Sequence, residues 1–352
     1  VPPAVLLQAL GEATRRMYVS LDLQQTLEQV FSSHIYPSLG RQPQELSAAL
    51  EDFYDNVFPS LQPLTRPHPE AQEFVQWALE QGARIAIATD PLFPRKAILH
   101  RLRWAGMPPE TFPFALISDF QSFHFAKASV AFYPEFLNLL GWEDEPALMI
   151  GDSLERDILP ARKAGLPVYW LNPTEAASAP GGGFSGLKRF LLENDPATLK
   201  VNFSSPEALL SRLMGNAAAL HGLTQKLTPQ AWKQRPAPGE WAPAEIFCHL
   251  RDVEREVNLP RIQTILSQEN PFLGAQVTDP WAEERAYLRQ DGPTALRDFL
   301  QTRQQILNLL NPLSPQDWQR PARHTIFGPT TLQEMVGFLA DHDRAHISGM
   351  MN

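Results

Sequence analysis

Four short apolar runs constrain this chain more than any other feature. They are "ARIAIATD" (83–90), "PFALIS" (113–118), "PALMIGD" (146–152) and "PVYWL" (167–171). Helical stretches alternate with them: "HPEAQEFVQWALEQG" before the first, then "PRKAILHRLRWAG", "ASVAFYPEFLNLLG" and "ERDILPARKAG", each closed by glycine. Runs this short, with no polar alternation, predict strands buried on both faces. Strands of that kind alternating with helices predict a parallel sheet with crossover helices. Residues 3–60 read differently. "AVLLQALGEATRRM", "LQQTLEQVFSSHI" and "PQELSAALEDFYDNVF" repeat apolar residues at helical spacing and show no strand alternation.

Beyond residue 205 the strand signal disappears. Four long helical patterns remain, at about 206–226, 241–267, 293–311 and 330–347, which predicts a four-helix bundle. A loop, "NPTEAASAPGGGFSG" (172–186), and a short helix, "LKRFLLEN", precede the change, so a domain boundary is expected within 195–205, with domains 1–198 and 199–352. The length of 352 residues suits two cores. A net charge of −9 without a basic stripe argues against nucleic acid as a partner. No apolar run approaches the ~20 residues of a membrane span, and no signal peptide is visible. One cysteine, Cys248, excludes an intrachain disulfide and suits a cytoplasmic location.

In an open parallel sheet, ligands gather beyond the carboxyl ends of the strands. Thr89 ends the first run, Lys127 follows the second, and Asp152 ends the third with Asp157 on the next helix. Singly, these are a strand-end cap, a surface lysine and a helix N-cap. Together they suit metal-assisted chemistry at a phosphate: a hydroxyl donor, an ammonium to offset charge, and two carboxylates for a divalent cation. With Gly151-Asp152 and Asp157 five positions on, the stretch 1–195 resembles the haloacid dehalogenase superfamily of hydrolases. The resemblance assigns Thr89, Lys127 and the Asp152/Asp157 pair to that superfamily's second, third and fourth motifs. It implies a Rossmannoid parallel sheet over about 63–198, a helical cap over about 3–62, Mg²⁺, a small phosphorylated substrate and an aspartyl-phosphate mechanism. Two departures stand out. Lys127 is followed by Ala128 where proline is common, and the first motif, Asp-x-Asp on a strand ahead of the cap, is missing. The chain opens on Val1-Pro2-Pro3. The expectation is a truncated sequence rather than a natural pseudoenzyme, inactive at this site as it stands.

A second constellation lies in the bundle. His342 and His346 are one helical turn apart, and His249 sits on an earlier helix, one turn after Glu245. Three imidazoles from two helices can hold a transition metal with positions left open, although paired histidines on a helix are also ordinary surface residues. Asp252, Asp341 and Asp343 are candidates to orient the rings. His324, in "RPARHTIFGP", reads as a solvated loop residue. The order "GEW", then "HLRD", then "DHDRAH" resembles the DinB-like four-helix-bundle family over about 205–352. That resemblance implies His249, His342 and His346 as ligands to Zn²⁺, Ni²⁺ or a similar ion, with Trp241 as a packing residue. Metal affinity is expected to fall as pH drops through ~6.5, where an ordinary imidazole protonates. The bundle is also a candidate for pairing into a homodimer. Two functions follow: a Mg²⁺-dependent hydrolase joined to a metal domain, or a metal- or thiol-binding bundle, transferase included, beside a non-catalytic scaffold.

Overall fold

A computed structural model describes residues 1–173 and 179–351; residues 174–178 of the expected loop lie outside the described residues. The chain divides into two compact units, Val1–Val201 and Asn202–Asn352.

In the first unit, α1 (Pro3–Val19), α2 (Leu27–Leu39) and α3 (Pro43–Asp52) form the expected helical segment. The helix α2 starts on a reciprocal cap: Gln29 N donates to Thr26 Oγ1, and Thr26 N donates to the Gln29 side chain. Then come α4 (Pro69–Glu80), α5 (Arg95–Trp104), α6 (Phe132–Leu139), β1 (Met149–Gly151), α7 (Leu159–Lys163), β2 (Val168–Leu171), β3 (Gly181–Gly182) and α8 (Phe184–Glu193). The sheet β1–β2–β3 is parallel throughout, with Ile150 opposite Tyr169 and Trp170 opposite Gly181. The strand β3 lies inside the segment expected to be a loop. Gly181 allows it, because a Cβ there would lie 2.8 Å from Trp170 O.

The first two apolar runs are not regular strands. They meet in one parallel bridge, Ile87 with Ile117, fixed by Ile87 N to Leu116 O (2.8 Å) and Ser118 N to Ile87 O (3.1 Å). Among the described residues, no strand pairing joins this ladder to β1. Ile85, Ala88, Leu148 and Ile150 are correspondingly half-buried, where burial on both faces is expected from their composition. Ile85, Leu148 and Ile150 pack at the margin of a core built from Phe74 and Ala78 of α4, Tyr169 of β2 and Leu187 of α8.

The second unit holds α9 (Pro206–Thr224), α10 (Pro243–Val253), α11 (Leu259–Ser267), β4 (Phe272–Leu273), α12 (Trp281–Glu284), α13 (Gly292–Leu310), α14 (Pro315–Trp318), β5 (Pro321–His324), β6 (Gly328–Thr331) and α15 (Leu332–Met351). With α10 and α11 taken as one kinked helix, α9, α10–α11, α13 and α15 are the four expected long helices. Their core includes Leu213, Ala217, Leu220, Phe247, Phe299, Ile306, Leu310, Val336 and Ala340, all 0% exposed. Each large apolar side chain buried in this way contributes ~1.5–3 kcal/mol. The small sheet β4–β5–β6 corrects the purely helical reading of this half. Its strands are too short for a periodic signal, and β5 contains the expected loop residue His324.

Three helices pass through a π turn: Phe53–Val57, Leu154–Ile158 and Glu254–Asn258. Proline is the second residue past each: Pro59, Pro160 and Pro260. Proline lacks an N–H and crowds the carbonyl four residues back, and widening the turn before it relieves the clash.

Candidate functional sites

In the first unit the structure gathers Lys127, Asp157 and Asp90. Lys127 Nζ lies 2.9 Å from Asp157 Oδ1, with both side chains largely buried. Asp157 Oδ2 accepts from Ser153 N (3.0 Å), and Asp90 Oδ1 accepts from Lys127 N (3.1 Å). The backbone at Gly151 makes this approach feasible, since an added Cβ would lie 2.3 Å from Asp157. Burial raises the Asp90 carboxyl above its ordinary value, against the opposing pull of Lys127. Thr89 is half-buried at the end of the first ladder segment, and its carbonyl accepts from Ser118 Oγ (2.7 Å). Asp152 is exposed, and its carbonyl accepts from Trp170 Nε1 (3.1 Å).

One short helix, α6, supports both halves of this cluster. Tyr133 Oη donates to Arg156 O (2.7 Å) and Asp157 O (3.1 Å). Glu135, 0% exposed, accepts from His124 N (3.0 Å) and lies 2.7 Å from His124 Nδ1, which anchors the segment leading to Lys127. Burial pushes the Glu135 carboxyl well up and the His124 imidazole down to about 3. Asp90 was missed in the sequence, although its place directly after Thr89 at a strand end was a signal that could have found it. Glu135 was not, because its partners are 11 residues away and its spacing matches an ordinary exposed helix position.

In the bundle, α10 supplies His249 and α15 supplies His342 and His346. The first turn of α10 is held by Glu245, which accepts from Ala242 N (2.9 Å) and pairs with Arg235. Glu245 is therefore a helix-start residue. A second reciprocal cap begins α15: Thr331 N donates to Glu334 Oε2 (2.8 Å) and Glu334 N donates to Thr331 Oγ1 (3.2 Å). Nε2 of His342 lies 3.1 Å from Nε2 of His249 and 3.3 Å from Nε2 of His346. Ligand-capable atoms of all three rings lie within 4.8 Å of one another. Trp241 covers the group, its ring 4.9 Å from His249 and stacked on His346 at 5.9 Å.

Burial, then repulsion from His346 and His342, holds His249 down at about 3. Burial and His342 hold His346 at about 4, and burial also lowers His342. Burial therefore disfavours the charged form of all three rings, the form that cannot bind metal. Nδ1 of His249 is buried without a hydrogen-bond partner among the described residues. The three candidate orienting carboxylates are engaged elsewhere. Asp252 binds Arg251, Arg255, Arg285 and Tyr287; Asp341 pairs with Arg212; Asp343 pairs with Arg303. His324 is 4% exposed, with Nδ1 accepting from Ile326 N (3.2 Å), which corrects its reading as a solvated loop residue.

Comparisons with known proteins find separate matches for two stretches of the chain. Residues 21–165 match the haloacid dehalogenase-like hydrolase family, and residues 212–350 match the DinB superfamily. The uncharacterized protein YuaE of Bacillus subtilis (strain 168) is 24% identical over 138 residues, covering 35% of this chain and 83% of that protein. Among solved structures, YfiT from Bacillus subtilis, described as a probable metal-dependent hydrolase with an unusual four-helix bundle topology, is 19% identical. The match covers 43% of this chain and 86% of YfiT, with a TM-score of 0.39. No helix among the described residues is long and apolar enough to cross a membrane. The chain thus joins a haloacid dehalogenase-like hydrolase domain, residues 21–165, to a DinB-superfamily domain, residues 212–350.

Proposed function

We propose that the DinB-superfamily domain binds one divalent transition metal through His249, His342 and His346 and serves a metal-dependent hydrolase. One observation carries the reading: three Nε2 atoms from two helices converge, with successive separations of 3.1 and 3.3 Å, in a largely buried place. Uncharged imidazoles at this spacing satisfy one another poorly, since each Nε2 either donates one proton or accepts one. A shared cation uses all three lone pairs, and nitrogen donors suit Zn²⁺ or Ni²⁺ better than Mg²⁺. When bound, such an ion polarises a substrate oxygen or lowers the pKa of water. The chain's own part is to keep the rings neutral, to exclude water on the Trp241 side and to hold His342 and His346 on one face of α15.

The haloacid dehalogenase-like domain supports a second, separate activity: Mg²⁺-dependent hydrolysis of a small phosphorylated substrate. The Lys127–Asp157 pair beside Asp90 favours it. Lys127 offsets phosphoryl charge and Thr89 offers a hydroxyl. Asp152 and Asp157 would supply carboxylate oxygens of the kind that suits Mg²⁺, and the ion would add charge neutralisation. The mechanism also requires an Asp-x-Asp strand, and the half-buried Ile85, Ala88, Leu148 and Ile150 offer apolar side chains for such a strand to cover. The competing reading, a metal- or thiol-binding bundle with a non-catalytic scaffold, keeps the histidines and removes this activity.

Metal analysis of the purified chain tests the first reading. About one equivalent of transition metal is expected in the parent and none in His342→Ala, with helical circular dichroism largely kept. A parent without stoichiometric metal overturns it. For the second reading, residues 1–352 are expected to leave p-nitrophenyl phosphate intact, and adding an Asp-x-Asp strand is expected to give Mg²⁺-dependent turnover. In that protein Lys127→Ala should lose at least ~10²-fold, the scale of one preorganised electrostatic group. Full activity in Lys127→Ala refutes its assigned role.

A further inference from the structure

The side chain of Arg303, on α13, is 0% exposed at the centre of the bundle. Its Nε donates to Glu254 Oε1 (2.5 Å) at the α10–α11 π turn. Its Nη1 donates to Leu213 O of α9 (3.1 Å) and to Asp343 Oδ2 of α15 (2.7 Å), and Nη2 donates to Asp343 Oδ1 (3.0 Å). One guanidinium therefore ties all four long helices together. Asn216 of α9 completes the group, donating to Ala340 O (2.9 Å) and Asp343 Oδ2 (3.4 Å). Asn258 Nδ2 donates to the second oxygen of Glu254 (2.9 Å).

Two features point beyond simple cohesion. Asp343 is the chain neighbour of His342 on α15, and Glu254 follows His249 by five residues on the α10–α11 helix. The network is unbalanced as well, with two carboxylates facing one guanidinium. Burying three charged groups costs more than packing apolar ones of the same size, so a network with this composition needs a reason other than stability. Balance with a cation nearby supplies one. Neutral histidines give a dication no counter-charge of their own.

We propose that Arg303, Glu254 and Asp343 act as a positioning and charge-setting network for the three-histidine centre, locking the rotation of α15 against α10 and leaving one net negative charge to favour a divalent cation. The inference rests on the reading of those histidines as a metal site. None of the three network residues is assigned as a ligand. Arg303 sets the geometry, and the excess carboxylate sets the affinity.

Glu254→Gln tests the charge role in the full chain, because it keeps the shape and an acceptor for Arg303 Nε while removing the charge. The readouts are Zn²⁺ affinity, by competition with a chromophoric chelator, and the Tm of metal-free protein. Zn²⁺ binding is expected to weaken ~10–100-fold, the scale of other partners that support metal ligands, with metal-free Tm and helix content close to the parent. Arg303→Met tests the geometric role and is expected to weaken binding at least as much. If Arg303→Met does not fold, Glu254→Gln alone decides. Parent-like Zn²⁺ affinity in a folded Glu254→Gln overturns the proposal and leaves the network purely structural. A parent chain that binds no Zn²⁺ overturns the histidine reading itself, a result visible before any variant is made.

Discussion

At the residue scale, the histidine cluster depends on side chains whose burial disfavours the charged form. An unfolded histidine has its ordinary value of 6.5, while His249 is held at about 3 and His346 at about 4. Between these values and 6.5 the unfolded chain takes up protons that the folded cluster refuses. Stability of the metal-free bundle therefore falls as pH is lowered from about 6.5 towards 4. His346→Gln should flatten part of that slope in urea titrations run at successive pH values, and an unchanged slope would contradict the burial argument. Gly151 makes a different kind of demand. In Gly151→Ala, a Cβ 2.3 Å from Asp157 forces that carboxylate away from Lys127. Overpacking of this sort costs ~1–3 kcal/mol, and a lowered urea midpoint for the first unit is the expected reading. A variant with the parent midpoint would mean that the Asp157 turn moves freely.

At the element scale, the π turns show local sequence acting on a distant contact. Pro260 removes one helical hydrogen bond, and the chain responds with Leu259 N bonding to Glu254 O. The extra residue in that turn sets the direction in which Glu254 projects towards Arg303. Replacing an interior helix proline ordinarily stabilises a helix by up to ~3 kcal/mol. Here Pro260→Ala is expected to lower the Tm of the metal-free protein, because an α-helical turn rotates Glu254 off the Arg303 guanidinium. A higher Tm would show that the turn is only a proline defect. Two helix starts carry a local sequence signal of the same kind. Thr331-x-x-Glu334 and Thr26-x-x-Gln29 supply both partners of a cap within four residues.

At the scale of the whole molecule, each unit has its own core, and the division falls between Val201 and Asn202. Limited proteolysis is expected to cut first within about 195–205, where the backbone carries few buried side chains, and to release a helical fragment that still contains His249, His342 and His346. Early cleavage inside 206–347 would argue against separable units. The first unit also contains two separate parallel pairings in which Ile85, Ala88, Leu148 and Ile150 are only half-buried, although these residues are as apolar as those of a central strand. Composition reports what a strand is suited to pack against; whether that neighbour is in place is a property of the assembled sheet.

The sequence by itself determined the helical segments and the later parallel strands of the first half, the four long helices of the second, and which residues are candidates for chemistry. These follow from periodicity, caps and short spacings, which act over a turn or two of chain. Tertiary structure alone decided which of them meet. Lys127 and Asp157 pair across 30 residues, and His249 meets His342 across 93. Arg303 could be noticed as a charge on the apolar face with Phe299, Ile306 and Leu310, but not joined to Glu254 and Asp343, which lie 49 and 40 residues away. The short strands β3 to β6 were invisible for a related reason. Segments of two to four residues have no periodicity to read, and the partner that pairs with them exists only once the chain has folded.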